Sequence, residues 1–102
     1  MNKENSKKLL LINMSETLKL STQEIEKAIE KKCGTGIFIL EYLKIERRKY
    51  RKLVNDYLNM LASSRSGSAI ILAYSKDKNY LEAIEDTINK INENYKRNNR
   101  GR

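Results

Sequence analysis

Residues 81–95 read LEAIEDTINKINENY, and within them Leu81, Ile84, Ile88, Ile91 and Tyr95 recur at steps of 3, 4, 3 and 4. That spacing places all five on one stripe of an α-helix and leaves the Glu, Asp, Asn and Lys residues for the other faces. Asp86 with Lys90 and Glu93 with Arg97 are i,i+4 pairs in the favourable order, each contributing a few tenths of a kcal/mol on a solvated helix. A single apolar stripe is stable only when another element covers it.

The covering elements read as helices too. Leu9, Leu10, Met14 and Leu18 mark one face of a helix from about residue 4 to 19, with Leu11 and Ile12 widening it. Ser21 to Glu24 has the form of a capping box: the Ser hydroxyl accepts from the N3 amide and the Glu carboxylate reaches back to the cap amide. A second helix should start there, burying Ile25, Ala28, Ile29 and Cys33, with Lys31 and Lys32 at its negative end and Gly34 as a left-handed stop. Gly34-Thr35-Gly36 reads as a helix-helix turn, or a kink in one longer helix. It lacks the third glycine of a dinucleotide fingerprint and the Gly-Lys-Ser/Thr of a P-loop.

Residues 37–63 carry the longest helical pattern, with Leu40, Leu43, Tyr50, Val54, Tyr57 and Leu61 close to a heptad seam. Its first three turns are apolar nearly all round, as for a helix covered on several sides, and a charged seam near Glu46 and Arg47 leaves one helix or two open. Ser63, Ser64, Ser66, Gly67 and Ser68 form the clearest linker. Ala69 to Tyr74 fits a strand or the start of a helix; a strand would have no partner, so helix is favoured, with Asp77 as a cap for the final helix. Residues 1–97 thus read as a single all-α domain, an antiparallel four-helix bundle, and residues 98–102 as a disordered basic tail.

Composition narrows the function. The chain has 102 residues, one cysteine and no histidine, proline or tryptophan. Without histidine, His-dependent triads, zincins and facial-triad iron sites are excluded, and no catalytic, cofactor-binding or metal-binding residue is assigned. Cys33 forms no internal disulfide and sits where a helix C-terminus disfavours a thiolate, so it reads as a buried structural thiol. Glu82, Glu85 and Asp86 share a face but lack the Glu-x-x-His partners of a di-iron bundle, and read as a polar surface. The six tyrosines read as core side chains with hydroxyls at the rim. The most apolar window, Ile37 to Ile45, is far short of the roughly 20 residues of a spanning helix. A cytoplasmic protein, possible company for the inner membrane face, is the expectation.

The formal charge of +8 is uneven: +2 over residues 1–20, −1 over 21–43, +5 over 44–65, −2 over 66–95 and +4 over 96–102. Lys44, Arg47, Arg48, Arg51 and Lys52 fall at i, i+3, i+4, i+7 and i+8, on one helical face beside Lys49. Lys96, Arg97, Arg100 and Arg102 make a second patch. Each is either a solvated surface or a binding surface for an anionic partner: nucleic-acid phosphates, anionic lipid or an acidic protein loop. A small basic nucleic-acid-binding or regulatory protein is the alternative reading, although no zinc-finger spacing, RNP motif or clear recognition helix is present.

A Lys-rich start, the segment Leu10-Leu11-Ile12-Asn13-Met14-Ser15-Glu16, a Cys-Gly pair at residues 33 and 34, and Ala73-Tyr74 ahead of Tyr80-Leu81 together resemble the immunity proteins of class IIa (pediocin-like) bacteriocins, including the enterocin A immunity group. The Lys-, Asn- and Ile-rich composition looks like an AT-rich Gram-positive genome, streptococcal in character. The resemblance implies an antiparallel four-helix bundle in the cytoplasm of the bacteriocin producer. It also implies a non-enzymatic partner role: recognition of the membrane mannose phosphotransferase permease once the bacteriocin has engaged it, and block of the resulting leak. In that family the C-terminal half sets which bacteriocin is countered, here the last helix with Lys96, Arg97, Arg100 and Arg102.

Overall fold

The structure, a computed structural model, describes residues 3–30, 34–63 and 67–100. Four helices follow in order, α1 (Lys3–Leu18), α2 (Thr22–Glu30), α3 (Gly34–Ala62) and α4 (Ser68–Arg100), with no strand among the described residues. They pack as the expected all-α bundle. α3 and α4 share the largest interface, α1 borders α4 and α2, and α2 borders α3 and α4.

The first connection shows how sequence sets geometry. Lys19 ends α1 in the left-handed region at φ 59°, and the Ser15 hydroxyl donates to the Leu20 carbonyl at 2.6 Å. The capping box forms as read: the Glu24 amide donates to Ser21 Oγ at 3.1 Å and the Ser21 amide to Glu24 Oε1 at 3.2 Å. Asn94 of α4 closes the other end of α2, its Nδ2 donating to the Ile29 carbonyl at 2.8 Å. A left-handed conformation costs a side chain with a Cβ about 1–2 kcal/mol. Lys19→Gly should therefore raise stability by about 0.5–1 kcal/mol, after allowing for glycine's greater freedom when unfolded, with urea denaturation as the measurement.

One core draws on all four helices: Leu10 and Met14, Ile25 and Ala28, Ile39 and Leu43, and Tyr80, Ala83, Ile84, Ile88 and Ile91. The 81–95 stripe is buried as its spacing predicts at Leu81, Ile84, Ile88 and Ile91. The Tyr95 side chain lies outside the described residues. Tyr80 is a core side chain, as expected of the tyrosines. It is only 4% exposed, stacks at 4.8 Å on Tyr50 with the rings tilted by 45°, and its hydroxyl accepts from Asn13 Nδ2 at 2.8 Å.

Several boundaries differ from the sequence reading, each for a local reason. α3 starts at Gly34 rather than at residue 37, so Gly34-Thr35-Gly36 is its first turn and neither a connection nor a left-handed stop. The connection itself, with Cys33, lies outside the described residues. α3 is continuous through Glu46 and Arg47, because these charges sit at the edge of the seam and reach water without breaking it. Its first turns are not covered all round: Gly36, Ile39 and Leu43 are buried, while Ile37, Phe38 and Ile45 are exposed. Ile12 of α1 is likewise exposed. Ala69 to Tyr74 is helical, as favoured, but α4 begins at Ser68, so Asp77 lies inside the helix and caps nothing. α4 also runs to Arg100, three residues into the stretch read as a disordered tail.

Length determines the shape. At 1.5 Å per residue α3 and α4 are ~43 and ~50 Å long, about twice α1 and more than three times α2. The molecule measures 55 × 26 × 20 Å. α1 reaches as far as a depression of about 120 Å³ where Leu9 and Asn13 meet Tyr50, Lys76, Asp77 and Tyr80. None of the described residues from Lys44 to Asn79 is buried, so α3 and α4 continue past the core as a two-helix arm.

Candidate interaction surface

The basic stripe lies where this arm leaves the bundle, with Tyr50 beside it stacked on the buried Tyr80. Lys44, Arg47, Arg51, Asn55, Leu58 and Ala62 form one line along α3, each three or four residues from the next. On α4, Ile71, Tyr74, Lys78, Glu82 and Glu85 form a matching line. Arg51 joins the two, its guanidinium 2.7 Å from Glu85 Oε2, so both lines belong to one face of the arm. Arg48, Arg51 and Lys52 are exposed, Lys44 and Arg47 partly so, and Lys44 also lies 3.6 Å from Glu41 one turn earlier.

The second basic patch is only partly described. Lys96 is exposed on the last turns of α4. Arg97 and Arg100 belong to that helix, but their side chains, and Arg102 altogether, lie outside the described residues. Carboxylates of α4 act as interhelical partners: Glu85 meets Arg51 of α3, and Asp86, read as the mate of Lys90, meets Lys3 of α1 at 2.7 Å. The hydrogen bond and charge of Asp86 raise the pKa of Lys3.

The arm's interior is polar in places. The Tyr57 hydroxyl donates to the Asp77 carboxylate, which raises the tyrosine's pKa, and burial raises those of Tyr42 and Tyr50. Burial dominates at Tyr80 too, pushing its pKa up to about 12 against the opposing hydrogen bond from Asn13. The Tyr57–Asp77 pair was not legible from spacing, because Asp77 was read as a cap.

Exposed apolar side chains continue the basic line at both ends: Ile37 one step of seven before Lys44, and Leu58, with Ile71 on α4, toward the far end of the arm; Phe38 and Ile45 are exposed about 100° further round α3. Sequence reading missed Leu58 as a surface residue, although it continues the Arg47 and Arg51 line by one further step of seven. The depression between α1 and α4, lined by Lys7, Leu10, Met14 and Lys90 among others, holds about 180 Å³. Both depressions described fall below the roughly 300–1,000 Å³ of small-molecule sites. Among the described residues no three His, Cys, Asp or Glu side chains are placed to hold a metal ion, and no helix is long and apolar enough to cross a membrane. No family model matches the chain, and neither a curated protein nor a solved structure matches it. The arrangement defines a helical bundle with one basic and apolar face on a projecting arm.

Proposed function

We propose that this chain is a non-enzymatic immunity protein that acts from the cytoplasm against a pediocin-like bacteriocin. It binds the mannose phosphotransferase permease once the bacteriocin has engaged it and stops the leak. The observation that supports the reading is the arm: a basic line flanked by exposed apolar side chains suits a large surface partner better than a small ligand. The four-helix bundle agrees with the resemblance carried by residues 10–16, 33–34, 73–74 and 80–81. Lys96, Arg97, Arg100 and Arg102 are assigned to the choice of bacteriocin, and Lys44, Arg47, Arg48, Arg51 and Lys52 to binding at the membrane complex.

A tagged copy of the chain should co-purify with the permease from detergent-solubilised cells exposed to the cognate bacteriocin, and not from unexposed cells. Truncation after Tyr95 should reduce recovery at least tenfold while leaving the far-ultraviolet helical signal largely intact. Equal recovery with and without bacteriocin would contradict the proposed order of binding.

A further inference from the structure

We propose that the arm face bearing Leu58 and Ile71 docks on an anionic lipid bilayer, lying in the plane of the interface with these two side chains inserted and the arginines against the headgroups. The inference deepens the proposed function by giving the arm a lipid ligand, and rests on that reading only for its biological setting.

Three observations carry it. First, the face is amphipathic along its length: Leu58 and Ile71 are 45% and 51% exposed beside the half-buried Tyr74, and Lys44, Arg47 and Arg51 follow on the same line toward the bundle. Second, charge is absent where insertion requires it. From Leu53 to Tyr74 the only charged residues are Asp56 and Arg65, whereas residues 44–52 carry +5. Third, Lys78 lies 5.7 Å from the Tyr74 ring centroid, which keeps a cation at the edge of the apolar patch, where a side chain with an apolar stem and a charged head meets headgroups.

Interfacial helices of this kind bury an apolar face about 5–10 Å deep and gain from anionic lipid through their basic residues. Other occupants fit less well. A two-fold dimer through this face would set one basic line against its copy. Nucleic acid would use the arginines but leave exposed Leu58 and Ile71 without a role.

The test is vesicle binding by the full chain without bacteriocin or permease. Sedimentation should show binding to vesicles of phosphatidylglycerol and phosphatidylcholine in equal parts, and none to phosphatidylcholine alone. Each Lys or Arg near the surface is worth about fivefold in affinity, so Arg47→Ala with Arg48→Ala should weaken binding about 25-fold. Leu58→Ser with Ile71→Ser should weaken it at least tenfold, whereas Leu72→Ser, 70% exposed but off this face, should leave it unchanged. The chain has no tryptophan, so Leu58→Trp supplies a single indole whose emission should shift to the blue on anionic vesicles. Unchanged melting temperatures in these surface variants separate lost binding from lost folding.

Absence of binding to anionic vesicles at low salt would overturn the proposal. So would binding that ignores Leu58→Ser with Ile71→Ser and leaves the indole emission unmoved, or a dimer in sedimentation equilibrium that those substitutions dissolve. Tighter binding to duplex DNA than to vesicles, dependent on Arg47 and Arg48, would overturn it in favour of nucleic acid. Vesicle binding without permease recovery would remove the immunity reading alone, and permease recovery without vesicle binding would remove the lipid site alone.

Discussion

Replacing Ile84 by alanine should lower the free energy of unfolding by about 2–5 kcal/mol, while Leu72→Ala should change it by less than about 0.5 kcal/mol. Ile84 is fully buried in a core to which all four helices contribute. Removing three of its carbons forfeits their transfer free energy and leaves a cavity that closely packed neighbours only partly fill. Leu72 already stands mostly in water, so its truncation gives up little burial. Against a total stability of roughly 5–15 kcal/mol for a domain, the first variant loses a large share of its margin. Urea denaturation followed by circular dichroism measures both, and an unchanged slope would locate the effect in the native state. Comparable losses at the two positions would mean that the arm is packed as the bundle is, contrary to the burial seen here.

Raising the pH from 10 to 12 should destabilise the chain by about 1–3 kcal/mol through Tyr80. The phenol of Tyr80 has its pKa raised from the ordinary 10 to about 12, chiefly by burial. A group whose folded pKa is raised holds its proton more tightly when folded. Its contribution is therefore fully present below pH 10 and is lost as the pH climbs through 10 to about 12. Tyr42 and Tyr50, also raised by burial, act in the same direction. Asp86 also raises the pKa of Lys3, which acts in the same direction, but that pair is exposed and screened by salt. Tyr80→Phe separates the causes. It removes the titrating hydroxyl, costs about 1 kcal/mol at neutral pH because Asn13 loses its acceptor, and should flatten the alkaline loss measured by thermal melts.

The helices were legible because apolar spacing and capping are local properties. Ser21 and Glu24 specify the start of α2 within four residues, and the 81–95 stripe appears whichever neighbours cover it. What the sequence concealed depends on the lengths of the partners. Ile37, Phe38 and Ile45 read as covered because they are apolar, but α1 and α2 are too short and too few to enclose α3 on every side. Leu58 and Ile71 belonged to no stripe read from the sequence, because apolar spacing alone does not show which side chains a partner leaves uncovered. The partner of the Tyr80 hydroxyl was hidden for another reason: its contact with Asn13 joins residues 67 apart in the chain, beyond the reach of any local pattern. The basic stripe was legible as a face, but its continuation into an apolar surface needed the Arg51–Glu85 contact to show which lines of α3 and α4 adjoin.

Protection of living cells tests the proposed role most directly. A bacteriocin-sensitive strain bearing the mannose permease would express the chain and be challenged in turn with a panel of pediocin-like bacteriocins. Growth in the presence of at least one of them, lost when Arg47→Glu and Arg48→Glu are introduced into a chain that still folds, is the expected result. Full sensitivity to every bacteriocin in the panel, with the folded chain present in the cells, would contradict it.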